Sequence, residues 1–439
     1  MRILLACEFY FPSSGGVQEV VRQLAERLVE RGHHVRVATS FLPQRAAREI
    51  NGVEIVEFKA SGNLARGLGG EVEAYRQLVL RGDYDVFMVK AAQQWTFDAL
   101  LPVLERLHRP KVFIPCGFSG LLEPGYADYY RAMPAALRAF DHLIFYATDY
   151  RDIEFARSHG LANFSIIPNG ASEREFGVPA DPHFRQRHGI AQDAFVVLTV
   201  GTLSGARKGH RELTEAFALA SFGAQEAVLL LNGNTVPRMR AQRSPSQLLR
   251  ALLFFLQGRG ALRRALALIG QRLRQAAARW LPAGPAGAQA LTRLIERVNR
   301  AAPAKRALLT DLPREELVQA YLNSDLFVFA SQVEYSPLVL FESAAAGLAF
   351  LSVPVGNAEE IARWTGGGEI CPASQDGHGY TIVDPVVLAA HLGRLAADPQ
   401  RRAALGASGR HTWAEKYTWE KIADHYEVLF ARIAARAGR

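Results

Sequence analysis

Two glutamates, Glu334 and Glu342, stand eight residues apart in the run Val333-Glu334-Tyr335-Ser336-Pro337-Leu338-Val339-Leu340-Phe341-Glu342, and Ser343-Ala344-Ala345-Ala346-Gly347 follows. Carboxylates in so apolar a stretch are costly to bury without partners. A molecule rich in hydroxyls would supply those partners. Ser336 can cap a helix whose first residue is Pro337, with Leu338 to Ala346 as its body. Glu342 then rides on the helix and Glu334 on the loop before it. The start of such a helix offers free N–H groups and a positive dipole end, which suit a phosphate. A ligand with a pyrophosphate and sugar hydroxyls uses all of these features. The plain alternative is a pair of solvated glutamates on a domain surface. Two further stretches suit an anion. Gly15-Gly16 opens a helix after the first strand, where glycines let backbone N–H groups come close to a charge; the alternative is an ordinary strand-to-helix turn. Arg207-Lys208 places two adjacent cations ahead of Gly209-His210, enough to neutralise a diphosphate; the alternative is a solvated turn.

The elements that would hold these residues alternate between strand and helix patterns. Residues 2–7 read as a short buried strand. Apolar positions Val20, Val21, Leu24, Leu28 and Val29 give a helix over Val17 to Arg31, and His34 to Thr39 is the next strand. Strands follow at 53–58, 86–89, 111–114, 143–146 and 164–167. A polar stretch, Ala171 to Gln192, reads as a linker. The pattern then restarts with strands at 195–200, 227–232, 326–330 and 349–353. Alternation of this kind implies parallel sheets covered on both faces. Two such halves predict two Rossmann-like domains, 1–180 and 193–411, facing a central cleft. A segment at 412–439 completes the chain, with Trp413, Tyr417, Trp419, Ile422 and Tyr426 on an apolar face.

Residues 236–305 interrupt the second half. Leucine stripes at Leu248–Leu256 and Leu262–Leu273 and a third helix over Gln289–Asn299 read as an inserted helical element outside the sheet. Thirteen Arg and one Lys stand there against one acid, Glu296, a net of +13, so the rest of this +8 chain carries −5. The body is mildly acidic and one segment holds the basic character.

At 439 residues the chain exceeds one ordinary core, and its mean hydropathy is near zero. Cys7, Cys116 and Cys371 have no metal-ligand spacing, so a disulfide scaffold or a metal site is not expected and a reducing compartment fits. The histidines have none either; His33-His34 follows a helix end and reads as structural. The N-terminus lacks the apolar run of a secretory signal, and no stretch is long and apolar enough for a membrane span.

Taken together, the ordered motifs resemble the retaining glycosyltransferases of the GT-B fold, family 4. The likeness extends over nearly the whole chain apart from 236–305. It rests on the Gly15-Gly16 loop, Arg31-Gly32-His33-His34-Val35, Ile167-Pro168-Asn169-Gly170, Val200-Gly201-Thr202 through Lys208-Gly209, Glu334 through Gly347, and Gly356-Asn357-Ala358-Glu359-Glu360-Ile361. The resemblance implies an α/β GT-B fold with the basic insert in its C-terminal domain and the segment 412–439 crossing back to the first domain. It implies that Glu342 binds the ribose of a nucleotide sugar and that Glu334 faces hydroxyls of the donor sugar. Lys208, with Arg207, would hold the diphosphate. Gly15, Gly16 and Gly201 would bring backbone close to the donor, and the amides around Ser336, Leu338 and Val339 would complete the cradle. No cofactor or metal beyond the donor is implied. The sequence departs from the family at Thr202, where many relatives carry Arg, and at Cys116 in Pro115-Cys116-Gly117-Phe118, where many carry His.

These features predict a cytoplasmic enzyme that passes a sugar to a glycan or lipid-linked acceptor in surface polysaccharide assembly. Residues 240–300 would rest on an anionic membrane surface or pack as a helical hairpin. Nucleic acid is a poorer match because aromatic residues are sparse there. The rivals are a sugar-nucleotide epimerase or hydrolase of the same fold and an inactive membrane-docked scaffold.

Overall fold

The computed structural model describes residues 1–203, 207–233 and 285–437. The first sheet is built from β1 (Arg2–Ala6), β2 (His34–Ser40), β3 (Glu49–Ile50) and β4 (Val53–Phe58), then, beyond a hairpin of β5 (Ala60–Asn63) and β6 (Gly67–Gly70), β7 (Val86–Lys90), β8 (Lys111–Ile114), β9 (His142–Phe145) and β10 (Phe164–Ile166). Its order is β10-β9-β8-β7-β1-β2-β4-β3, parallel except for the β3–β4 pair. Strand β1 lies between β2 and β7, with Ile3 opposite both Val35 and Val86. The chain order reverses at β1, and the crevice beyond its C-terminal end is where such sheets bind ligands. The Gly15-Gly16 loop lies in the connection that follows it, and helix Gly16–Glu30 comes next.

Alternation along β1 sends side chains to opposite faces. Leu4 and Ala6 join one apolar cluster, and Ile3, Leu5 and Cys7 join the other. The second face is closed by the end of the chain. Trp413 is buried in the core of the C-terminal domain, a π-helical turn spans Trp413–Tyr417, and helix Trp419–Ala437 then lays Trp419, Ile422, Tyr426 and Phe430 on the first sheet. The crossing is fastened at Ala171, whose carbonyl accepts the Trp413 indole N–H at 3.1 Å and whose N–H reaches the Tyr417 carbonyl at 3.0 Å.

The second sheet contains β11 (Phe195–Val200), β12 (Ala227–Asn232), β13 (Lys305–Thr310), β14 (Leu326–Phe329), β15 (Phe350–Ser352) and β16 (Gly368–Ile370), all parallel, in the order β13-β12-β11-β14-β15-β16. A small hairpin, β17 (Ser374–Gln375) and β18 (Thr381–Ile382), follows. Two sequence expectations need correction here. The stretch read as a polar linker supplies Phe176, Phe184 and Ile190 to the core of the second domain. The stretch 236–305 is also not an insert throughout. Helix Pro285–Ala301 buries Ile295 and Val298 in that core, and Lys305 opens β13, which pairs with β12. The leucine stripes at Leu248–Leu256 and Leu262–Leu273 lie outside the described residues. Among the described residues no helix is long and apolar enough to cross a membrane.

Candidate functional site

Lys208 and Glu334 meet because two loops of the second sheet are fastened together. Gly209 has φ +69°, and a Cβ there would fall 1.8 Å from the Ala330 carbonyl oxygen, so only glycine lets the loop after β11 pass this close to the end of β14. The Arg207 carbonyl accepts the Gln332 N–H at 2.9 Å and the Ser331 hydroxyl at 3.2 Å. The Lys208 Nζ then stands 2.5 Å from Glu334 Oε1, which also accepts the Ser331 hydroxyl at 2.9 Å. Side-chain exposures of 30% for Lys208 and 19% for Glu334 leave the pair open to a ligand. Arg207 turns elsewhere: its guanidinium lies 3.7 Å from the centroid of Tyr380, on the β17–β18 hairpin.

His210, which sequence reasoning passed over, anchors this loop from below. Its Nε2–H donates to the Gly201 carbonyl at 3.2 Å, while Nδ1 is buried with no hydrogen-bond partner among the described residues. Burial pushes the imidazole down to about 4. Gly201 packs beside this ring: a Cβ there would lie 3.5 Å from it and 3.6 Å from the Lys208 Cβ, ordinary contact distances.

The expected helix forms over Leu338–Ala345, one residue later than read, with Pro337 at the capping position and no side-chain cap. Ser336 therefore does not cap it. The Ser336 Oγ is buried with no hydrogen-bond partner among the described residues, and the Ser336 carbonyl accepts the Asn169 side-chain N–H at 3.0 Å from the first domain. The correction is physical: Pro337 has ψ 115°, an extended conformation, so the helical turn starts after it. The first N–H groups of the helix, at Leu338 and Val339, point out of its end. Across the cleft, a Cβ on Gly16 would lie 3.9 Å from Leu338 Cδ1, so the Gly15-Gly16 loop and this helix start face each other.

Glu342 is only 7% exposed. Its Oε1 lies 2.7 Å from Arg314 Nη2 and its Oε2 accepts the Tyr321 hydroxyl at 3.0 Å. Arg314 also reaches Glu175 at 2.7 Å. Neither Arg314 nor Tyr321 was singled out from the sequence, because helix Arg314–Leu322 and the strand before it were not recognised.

Tyr335, between the two donor-side features, crosses into the first domain. Its hydroxyl accepts the Tyr146 N–H at 2.9 Å, and its ring stacks on Tyr146 with centroids 5.5 Å apart. It presses on the loop after β8, where a Cβ on Gly117 would come 2.8 Å from the Tyr335 Cγ. That loop holds Cys116, Gly117 and Phe118 at φ 66°, 87° and 47°. The Gly117 N–H donates to Asp152 at 2.8 Å, and burial pushes the Asp152 carboxyl up to about 6. Beneath the loop Lys90 is buried, bonded to the Tyr146 hydroxyl and pushed down by burial. Burial raises the Cys116 and Cys7 thiols, Cys7 to about 12, so both stay protonated near neutrality. Among the described residues no group of three or more His, Cys, Asp or Glu is placed to hold a metal ion.

Residues 14–174 match the family described as Glycosyltransferase Family 4, and residues 289–412 match Glycosyl transferases group 1. No curated protein matches the chain. Among solved structures, sucrose-phosphate synthase from Thermosynechococcus elongatus is similar at TM-score 0.71 and 19% identity, covering 99% of each chain. The Anabaena Alr3699/HepE protein in complex with UDP is similar at TM-score 0.67 and 16% identity, covering 98% of this chain and 100% of that one. WaaG, a glycosyltransferase involved in lipopolysaccharide biosynthesis, is similar at TM-score 0.59 and 19% identity, covering 96% and 98%.

Proposed function

We infer the function from one premise: the chain belongs to the family 4 glycosyltransferases of the GT-B fold. From it we propose a retaining hexosyl transfer, without a bound metal, from a nucleoside diphosphate sugar to a glycan or lipid-linked acceptor in cell-surface polysaccharide assembly. The observation that carries the reading is the Lys208–Glu334 pair, 2.5 Å apart and open to the cleft. The diphosphate would lie between the Gly15-Gly16 loop and the first N–H groups of helix Leu338–Ala345. An ammonium has three donors, so Lys208 can keep Glu334 while a second N–H meets the leaving phosphate. Negative charge developing there is stabilised by a fixed cation and by the helix start. Glu334 accepts hydroxyls of the donor sugar and Glu342 those of the ribose. The acceptor attacks from the face the leaving group departs, with the leaving phosphate taking its proton, so no protein nucleophile is needed. Arg207 joins the diphosphate if its guanidinium leaves the Tyr380 ring. The UDP complex of the Anabaena protein supports the donor class, and the role of WaaG supports a surface glycan.

Calorimetric titration with UDP-, GDP- and ADP-sugars tests the donor, and turnover with cell-envelope extracts followed by NMR of the new anomeric centre tests retention. Binding of none of them, or an inverted product, refutes the reading. The enzyme would work in the cytoplasm, held on the inner membrane face by the arginine-rich stretch within 240–300. Since helix Pro285–Ala301 is core, the test replaces residues 237–283 with a short Gly/Ser linker. Anionic liposomes should float the full chain and not the variant; equal flotation removes the membrane role.

A further inference from the structure

Glu342 does not stand alone. Its two carboxylate oxygens are each engaged once, by Arg314 at 2.7 Å and by the Tyr321 hydroxyl at 3.0 Å. A carboxylate has about four acceptor sites, so one on each oxygen remains. Two engaged sites fix the plane of the group and leave a pair of parallel acceptors, the pattern that two vicinal hydroxyls require. Arg314 is shared. Its same nitrogen lies 2.7 Å from Glu175, and the other Glu175 oxygen stands 3.7 Å from Arg22, on the helix that the Gly15-Gly16 loop opens. Arg22 is bonded in turn to Glu19 at 2.7 Å. A line of alternating charges thus runs from Glu342 through Arg314 and Glu175 to the first domain's phosphate-facing helix.

We propose that Arg314 is a positioning residue for the vicinal hydroxyls of the donor's ribose, acting through Glu342. This rests on the reading of Glu342 as the ribose acceptor. Arg314 holds the buried carboxylate in place and aimed, and its second partner, Glu175, ties that aim to the opposite wall of the cleft. An ammonium at the same place would keep the charge and lose the planar guanidinium whose Nη2 meets both carboxylates.

The test uses the full-length protein and calorimetry with UDP, GDP and ADP, then the 2′-deoxy and 3′-deoxy forms of whichever binds. Wild type should prefer the ribonucleotide over each deoxy form by about tenfold, the size of a charge-assisted hydrogen bond. Arg314→Gln should weaken the ribonucleotide about tenfold and leave the deoxy forms nearly unchanged, so that discrimination collapses. Arg314→Lys should lie between, and it serves if Arg314→Gln fails to fold. Equal weakening of ribo and deoxy forms, or unchanged discrimination, overturns the inference and leaves the donor reading standing. A wild type that binds the ribo and deoxy forms equally removes the ribose role of Glu342 itself.

Discussion

The two walls of the cleft carry their chemistry by different means. The C-terminal wall presents acidic and basic side chains, Lys208, Glu334 and Glu342, each held by a polar neighbour. The N-terminal wall presents backbone: Gly16 beside Leu338, and a loop at Cys116–Phe118 with three successive left-handed residues over the buried groups Lys90 and Asp152. A side chain that meets phosphate or sugar must be of a given type, so it is visible as a motif. A loop that shapes space can be built from many sequences, provided the backbone angles are reached.

The largest effect should come from the charged wall. Lys208→Ala should lower turnover about a hundredfold by removing the fixed cation at the leaving group, measured as nucleoside diphosphate release. Retained turnover would mean that the wall's charges are structural. The second effect probes the other wall through stability. Gly117→Ala must place a methyl group against Tyr335 at a left-handed φ, costing about 2 kcal/mol or more. Denaturant unfolding should show that loss while nucleotide affinity stays within about twofold; a matching loss of nucleotide affinity would erase the distinction between the walls. Third, Glu342→Ala should weaken nucleotide binding about tenfold, the loss expected for a charge-assisted hydrogen bond, and should also lower the unfolding midpoint, because Arg314 and the buried Tyr321 hydroxyl each lose a partner. Unchanged calorimetric affinity would take the ribose away from this glutamate.

The smallest effect concerns pH. His210 is buried neutral, so its folded value of about 4 is depressed below the ordinary histidine range near 6.5. The unfolded chain then binds the proton first, and stability present above pH 6.5 is lost as pH falls toward 4. Between pH 7 and 5.5 the loss is about 1 kcal/mol. His210→Gln, which can still donate to the Gly201 carbonyl, should flatten that slope relative to wild type. Parallel pH profiles would show that the loop under Lys208 does not depend on a neutral imidazole.

Most of the C-terminal wall was legible in the sequence. Glu334, Glu342, Lys208 and the glycines at 15, 16 and 201 all fall along the cleft or under its loops. Gly209 could be read further, since a glycine right after two adjacent cations hints at a close backbone approach. What escaped notice did so for physical reasons. Strand β13 lies at a sheet edge, begins Lys-Arg and leaves Leu309 exposed, so it lacks the apolar run of a central strand. Without it, helix Arg314–Leu322 and its Arg314 and Tyr321 had no frame. The stretch 171–192 looks polar because its buried residues, Phe176, Phe184 and Ile190, are spaced singly among charges. Tyr335 and Gly117 touch across more than two hundred residues of chain, and no local pattern announces such a meeting.

Helix Trp419–Ala437 has a consequence for how such enzymes diversify. Its side chains form part of the core on one face of the first sheet, although the chain has by then built the whole second domain. The N-terminal domain is therefore not a contiguous cassette. A chimera that takes residues 1–174 from a relative inherits only one side of an interlocking fit, and the nineteen residues of helix Trp419–Ala437 must travel with it.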